Sequence, residues 1–162
     1  MLYQPDVPKK MKIAEILSAE RVSQGLTFTS KKKALEDLAQ LLARGTDGVS
    51  ASDILGSLSA REKLGSTGLG HGVAIPHGRV AGITDSVGAF MRLKHPLDYE
   101  AHDGHPVDLI FGLLVPQGAT EAHLKHLAAI AEMFSDENFC KQARAATDDK
   151  ALHQLIAGYA AA

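Results

Sequence analysis

Pro106-Val107-Asp108-Leu109-Ile110-Phe111-Gly112-Leu113-Leu114-Val115-Pro116 is the stretch that decides the architecture. Apart from Asp108, the run from Val107 to Val115 carries no charge and shows no polar alternation. Such a run predicts a strand buried on both faces, which needs helices packed above and below it. Pro116 and Gly118 break the strand. Thr120 then stands where an N-cap belongs, opening a helix to about Phe134 with Leu124, Leu127, Ile130, Ala131 and Phe134 facing inward.

Working outward, the chain supplies those covering helices. Ser30 is a good cap for a helix to about Arg44, whose Leu35, Leu38, Leu41 and Leu42 recur at spacings of three and four. Gly45 suits its end. Ser50 or Ser52 caps a second helix with Ile54, Leu55 and Leu58 as its apolar stripe, ending at Gly65. Two more helices are expected near Asp136–Ala146 and Asp148–Tyr159, and a short one over Met11–Leu17. Arg21–Thr29 and Ser86–Leu93 read as strands, and Val73–Ile75 as a strand start that Pro76 interrupts. Helices and strands thus mix along the chain without an internal repeat. The expected fold class is α/β: a three-layer α/β/α domain with a mixed sheet. A single domain is expected over 11–162, preceded by an N-terminal extension, Met1–Lys10, with Met11 a plausible original start.

Composition narrows the function. Seventeen basic and 19 acidic residues leave a formal net charge of −2, which argues against a broad nucleic-acid-binding face. No apolar run approaches the length of a membrane span, and Met1–Lys10 lacks the apolar core of a secretory signal. The one cysteine, Cys140, cannot form an internal disulfide, which fits a reducing cytoplasm.

The chemistry-bearing stretch is Arg61-Glu62-Lys63-Leu64-Gly65-Ser66-Thr67-Gly68-Leu69-Gly70-His71-Gly72-Val73-Ala74-Ile75-Pro76-His77-Gly78-Arg79. Glycines at 65, 68, 70 and 72 let backbone approach a ligand, and consecutive N–H groups near Ser66 and Thr67 can cradle an anion. Arg61 brings a cationic fork suited to phosphate. His77, between a rigid proline and an unhindered glycine, can present its imidazole at a strand end. A Walker loop is excluded, because His71 and Gly72 stand where Lys and a hydroxyl are required. A dinucleotide fingerprint fails because Val73 replaces its third glycine. His123 falls in the first turn of the helix after Thr120, where free N–H groups and the helix dipole favour anions. The pairs His102/His105 and His123/His126 have metal-like spacing, but the first lies in a polar turn with Asp103 and Gly104, and one Cys is few for a zinc site of four convergent ligands, or three plus water.

Both quoted stretches resemble signatures of the mannitol/fructose-type IIA components of the bacterial phosphotransferase system. The likeness runs from about Met11 to about Gly158 and is strongest to the nitrogen-regulatory type. That resemblance implies a phosphoacceptor at His77, reacting through Nε2, a second active-site histidine at His123 and a phosphate-neighbouring arginine at Arg61. It implies phosphoryl transfer from an HPr/NPr-type phosphocarrier, with no metal or nucleotide cofactor. The implied output is regulation of partners such as sensor kinases and potassium transporters. Two alternatives stay open: a sugar-specific IIA handing phosphate to a IIB protein, and a binding module without transfer. His71 departs from the family pattern and is left outside the core site. The donor is expected to dock on an apolar rim near Leu69, Val73 and Val80.

Overall fold

The computed structural model describes residues 13–159; the expected Met1–Lys10 extension and the start at Met11 fall outside the described residues. Strand β1 (Val22–Leu26) precedes helices α1 (Lys31–Ala43) and α2 (Ala51–Lys63). Three short strands follow, β2 (Gly68–Gly70), β3 (Val73–Ala74) and β4 (His77–Val80). The long strands β5 (Val87–Leu97) and β6 (Val107–Pro116) come next, and α3 (Glu121–Ser135), α4 (Glu137–Ala145) and α5 (Asp149–Ala157) close the chain.

Among the described residues these strands form one mixed sheet in the order β1-β5-β6-β3-β2, with β4 also on β6. β5 runs antiparallel to β6, whereas β3 and β4 run parallel to it, one after the other. The reason lies at Pro76, which lacks an N–H and interrupts the ladder. Its carbonyl still accepts from Leu113 N–H at 3.0 Å, so the chain resumes pairing at His77 opposite Leu113. The expected strand start at Val73 is therefore one strand broken in two, and its second half carries His77.

The sheet is covered on both faces. Leu109, Phe111, Leu113 and Val115 of β6 pack with Ile130, Met133 and Phe134 of α3, Phe139 of α4, and Leu152 and Ile156 of α5. Ile110 and Leu114 join Leu35, Leu38 and Leu42 of α1 and Ile54 and Leu58 of α2 on the other side. Each such fully buried side chain contributes about 1.5–3 kcal/mol of transfer free energy. The glycine inside this core strand has a packing reason: a Cβ on Gly112 would lie 2.8 Å from both Cδ atoms of Leu38, so its absence lets α1 settle on the sheet.

Caps behave as local chemistry dictates. Ser30 accepts from Lys33 N–H, Ser50 rather than Ser52 accepts from Asp53 N–H, and Asp136 and Asp148 cap α4 and α5. Leu124, expected inward, is instead 46% exposed, and Val73 and Val80, expected on an exposed rim, are buried. Pairing with β6 draws β3 and β4 into the sheet and buries both valines, while Leu124 lines an open cavity at the start of α3.

Gly78 sets the approach of α2 to β4. Ser57 Oγ donates to Arg79 C=O at 2.7 Å, and a Cβ on Gly78 would stand 3.1 Å from Ser57 Cβ and from its carbonyl carbon. Gly78→Ala is expected to destabilise the fold by about 1–3 kcal/mol through overpacking, read as a lowered urea midpoint. An unchanged midpoint would show that α2 can retreat without cost.

Candidate active site

α2 ends beside β4, and the first turn of α3 lies across from both, so three of the expected residues come together. Arg61 from the last turn of α2, His77 from β4 and His123 from α3 line one open cavity of about 500 Å³. Ser57, Ala60, Leu64, Gly78, Arg79, Leu113, Val115, Leu124 and Leu127 complete its wall. A second depression of about 420 Å³ shares Arg61 and His77 and adds Ser66, Thr67 and Leu69. The two hollows place His77 between α3 and the glycine loop.

The ring of His77 is oriented by its own strand. Its Nδ1 lies 3.0 Å from the carbonyl oxygen of Ile75, two residues back. A carbonyl only accepts, so Nδ1 carries the proton and Nε2 keeps its lone pair. His123 has the opposite arrangement. The backbone N–H of Thr120 donates to His123 Nδ1 at 3.3 Å in a capping box, which leaves the proton on Nε2. One cleft therefore holds an imidazole with a free Nε2 lone pair and another with an Nε2–H to donate. Arg61 Nη1 donates to Gly65 C=O at 2.8 Å, tying the guanidinium to the loop it borders.

Ser66 and Thr67 differ in role. Ser66 Oγ accepts from Gly68 N–H at 3.1 Å, and Ser66 N–H has no partner among the described residues, so it is available to an anion. The expectation that Thr67 N–H serves the same purpose is corrected. That N–H donates to Glu62 Oε2 at 3.2 Å, and the Thr67 hydroxyl donates to Glu62 Oε1. Thr67 is buried because it plugs a polar network under the loop, with Tyr99 and Lys31 as its other members. Sequence reading missed that network, since Tyr99 lies 37 positions from Glu62. It also passed over Arg79, whose exposed side chain borders the cavity.

His71 is not part of the cleft. It adopts φ 56° and Gly72 φ 83°, which suits the tight turn joining β2 to β3. Its N–H donates to Asp103 at 2.9 Å and its carbonyl accepts from Arg144 at 2.9 Å. His126, one turn beyond His123, sits edge-to-face with it at 6.1 Å and pairs with Ser86 Oγ through Nδ1 at 2.6 Å. Burial, then the neighbouring His123, lowers the pKa of His126. Among the described residues no three His, Cys, Asp or Glu side chains converge to hold a metal ion, and no helix is long and apolar enough to cross a membrane.

Around the cleft the surface is apolar. Leu64 is 84% exposed and Leu69 49%, and Leu124 joins them from α3. Exposed leucines on three separate elements surrounding one polar centre form a surface suited to a protein partner.

A mixed sheet between two helical layers, with a paired-histidine cleft at a broken strand, defines a phosphotransferase-type IIA domain. The chain belongs to the family described as the phosphoenolpyruvate-dependent sugar phosphotransferase system, EIIA 2, which it matches over residues 15–159. It is 42% identical over 147 residues to a nitrogen regulatory protein of Bradyrhizobium diazoefficiens, covering 91% of this chain and 95% of the relative. The crystal structure of the nitrogen regulatory protein IIA-Ntr from Neisseria meningitidis superposes with a TM-score of 0.83 at 42% identity, covering 89% of this chain and 98% of that one. The mannitol IIA of Escherichia coli shares the fold at 21% identity, with a TM-score of 0.71 over 86% of this chain and 98% of its own.

Proposed function

We propose that this chain is a phosphorelay protein that takes a phosphoryl group from an HPr/NPr-type phosphocarrier onto Nε2 of His77. The observation that carries the reading is the Nδ1–Ile75 hydrogen bond, which leaves Nε2 as the nucleophilic nitrogen of a residue lining the cleft. In the transfer, the Nε2 lone pair of His77 forms the new P–N bond. The P–N bond of the carrier's phosphohistidine breaks, and its electron pair returns to the carrier's imidazole. The moving group spreads its charge over three oxygens. Arg61, the Nε2–H of His123 and the N–H of Ser66 are the donors at hand to stabilise it. Leu64, Leu69 and Leu124 supply the apolar contact that seats the carrier and excludes water from the reaction.

The output is regulatory in this reading. The relatives with 42% identity are named nitrogen regulatory proteins, whereas the mannitol protein shares only half that identity. The phosphorylated and free states of His77 would then be read by partner proteins such as sensor kinases and potassium transporters. We place the exchange in the cytoplasm, where an unpaired Cys140 is at home, and take the working domain to span 11–162.

The test is direct. The purified protein is incubated with phosphoenolpyruvate, enzyme I and an HPr-type carrier, and its intact mass and modified peptide are recorded. One acid-labile phosphoryl group on the peptide containing His77, dependent on the carrier, is expected. No addition with either a nitrogen-branch or a sugar-branch carrier would overturn the relay and leave a binding module. Subsequent mixing with a IIB protein separates a regulator, which retains its phosphate, from a sugar-specific IIA, which passes it on.

A further inference from the structure

Glu62 is a carboxylate in an unusual place. It sits on the last turn of α2, next to Arg61, and its side chain is only 6% exposed. Lys31 Nζ from the start of α1 lies 2.9 Å from one oxygen, and Tyr99 donates its hydroxyl to the other at 2.9 Å. Thr67 gives it two more hydrogen bonds, from N–H and hydroxyl, and Lys31 also stands 4.5 Å over the Tyr99 ring. Burial opposes the charge on Glu62. Hydrogen bonds from Thr67, Lys31 and Tyr99, with the Lys31 charge, more than offset it and hold the carboxyl below the usual glutamate range. Burial and the adjacent Glu62 push the Tyr99 phenol up, so it stays a donor.

The hydrogen bonds do not stop at Thr67. Its carbonyl accepts from Ile75 N–H at 3.0 Å, and the Ile75 carbonyl is the group that accepts from His77 Nδ1, also at 3.0 Å. Both polar groups of Ile75 are thus fixed, one by the loop and one by the histidine. The loop itself is rich in glycine, so it has no stiffness of its own. Arg61 holds it at Gly65, and Glu62 holds it at Thr67.

We propose that Glu62 is a positioning residue for His77: through Thr67 and Ile75, its buried carboxylate fixes the ring orientation and the Nδ1–H tautomer that leave Nε2 free to react. This rests on His77 being the phosphoacceptor. Glu62 touches neither the carrier nor the phosphoryl group. It acts on the geometry of the nucleophile, where a displacement of about 1 Å can cost about 10²-fold in rate.

Two readouts test it in Glu62→Gln and in Tyr99→Phe, which removes one donor to Glu62 and keeps the ring. The first is the ¹⁵N chemical shifts of the His77 ring in the free protein at neutral pH, which report the tautomer without any carrier. The second is the initial rate of phosphorylation by a phosphorylated HPr-type carrier, resolved into kcat and KM. In Glu62→Gln the His77 ring is expected to become a mixture of tautomers and kcat to fall about 10- to 100-fold with KM unchanged. Tyr99→Phe should move both readouts the same way by less. An unchanged tautomer and parental kcat in Tyr99→Phe and in a folded Glu62→Gln would overturn the proposal. If Glu62→Gln does not fold, Tyr99→Phe decides by the same two signs. If the parental protein accepts no phosphoryl group, the phosphoacceptor reading falls, and the ring shifts alone still decide whether Glu62 sets the tautomer.

Discussion

His77→Ala is expected to take up no phosphoryl group from a phosphorylated HPr-type carrier, with the fold intact. Loss should be complete rather than partial, because no other nitrogen in the cleft can substitute. Among the described residues His123 is the only other histidine bordering that cavity, and its Nδ1 is occupied by Thr120 N–H. Its Nε2 therefore carries a proton and has no lone pair to attack with. The remaining cationic groups there, Arg61 and Arg79, are guanidinium ions and are not nucleophiles at neutral pH. The fold should survive, since the His77 side chain makes one hydrogen bond, to Ile75, and is only partly buried. Intact mass after incubation with the full relay measures this, with circular dichroism as the check on folding. An acid-labile phosphohistidine retained elsewhere in His77→Ala would sink the assignment and move the search to that residue.

The parts of this molecule that sequence made legible are those governed by short-range chemistry. Ser30 caps its helix as its side chain allows. The apolar run Val107–Val115 is the buried strand it promised to be, because nothing but a two-faced core accepts such a segment. His77, His123 and Arg61 share one cavity. Less legible were features created by pairing at a distance. β4 is four residues long and exists because Leu113–Pro116 offers it a partner; its own residues, His77-Gly78-Arg79-Val80, carry little strand preference. Val73 and Val80 were expected on an exposed rim, yet pairing with β6 buries them, Val73 opposite Leu109 and Val80 opposite Pro116. Thr67 looked like an anion binder by its place in a glycine loop. Its real partners come from Glu62 and Tyr99, and the second of these no local pattern connects to it.

The second large effect is expected at His123. His123→Ala should slow phosphorylation of His77 by about 10²–10³-fold, the cost of removing one preorganised donor from a developing oxyanion. The argument rests on the proton. Thr120 N–H fixes Nδ1 as the acceptor, so Nε2–H is a donor before the carrier arrives, and no reorganisation is needed at the moment of transfer. The substitution also removes the N3 half of a capping box, a loss that belongs to the unfolding curve rather than to the rate. His123→Gln separates the two effects, because its amide nitrogen reaches about as far as Nε2 and is also a donor. Stopped-quench rates at saturating phosphorylated carrier are the measurement. A steep loss in His123→Ala with part of the rate restored in His123→Gln would make His123 an electrostatic partner of the moving phosphoryl group. Transfer at the parental rate in both variants would show that His123 only caps α3, and that Arg61 and the Ser66 N–H carry the charge alone.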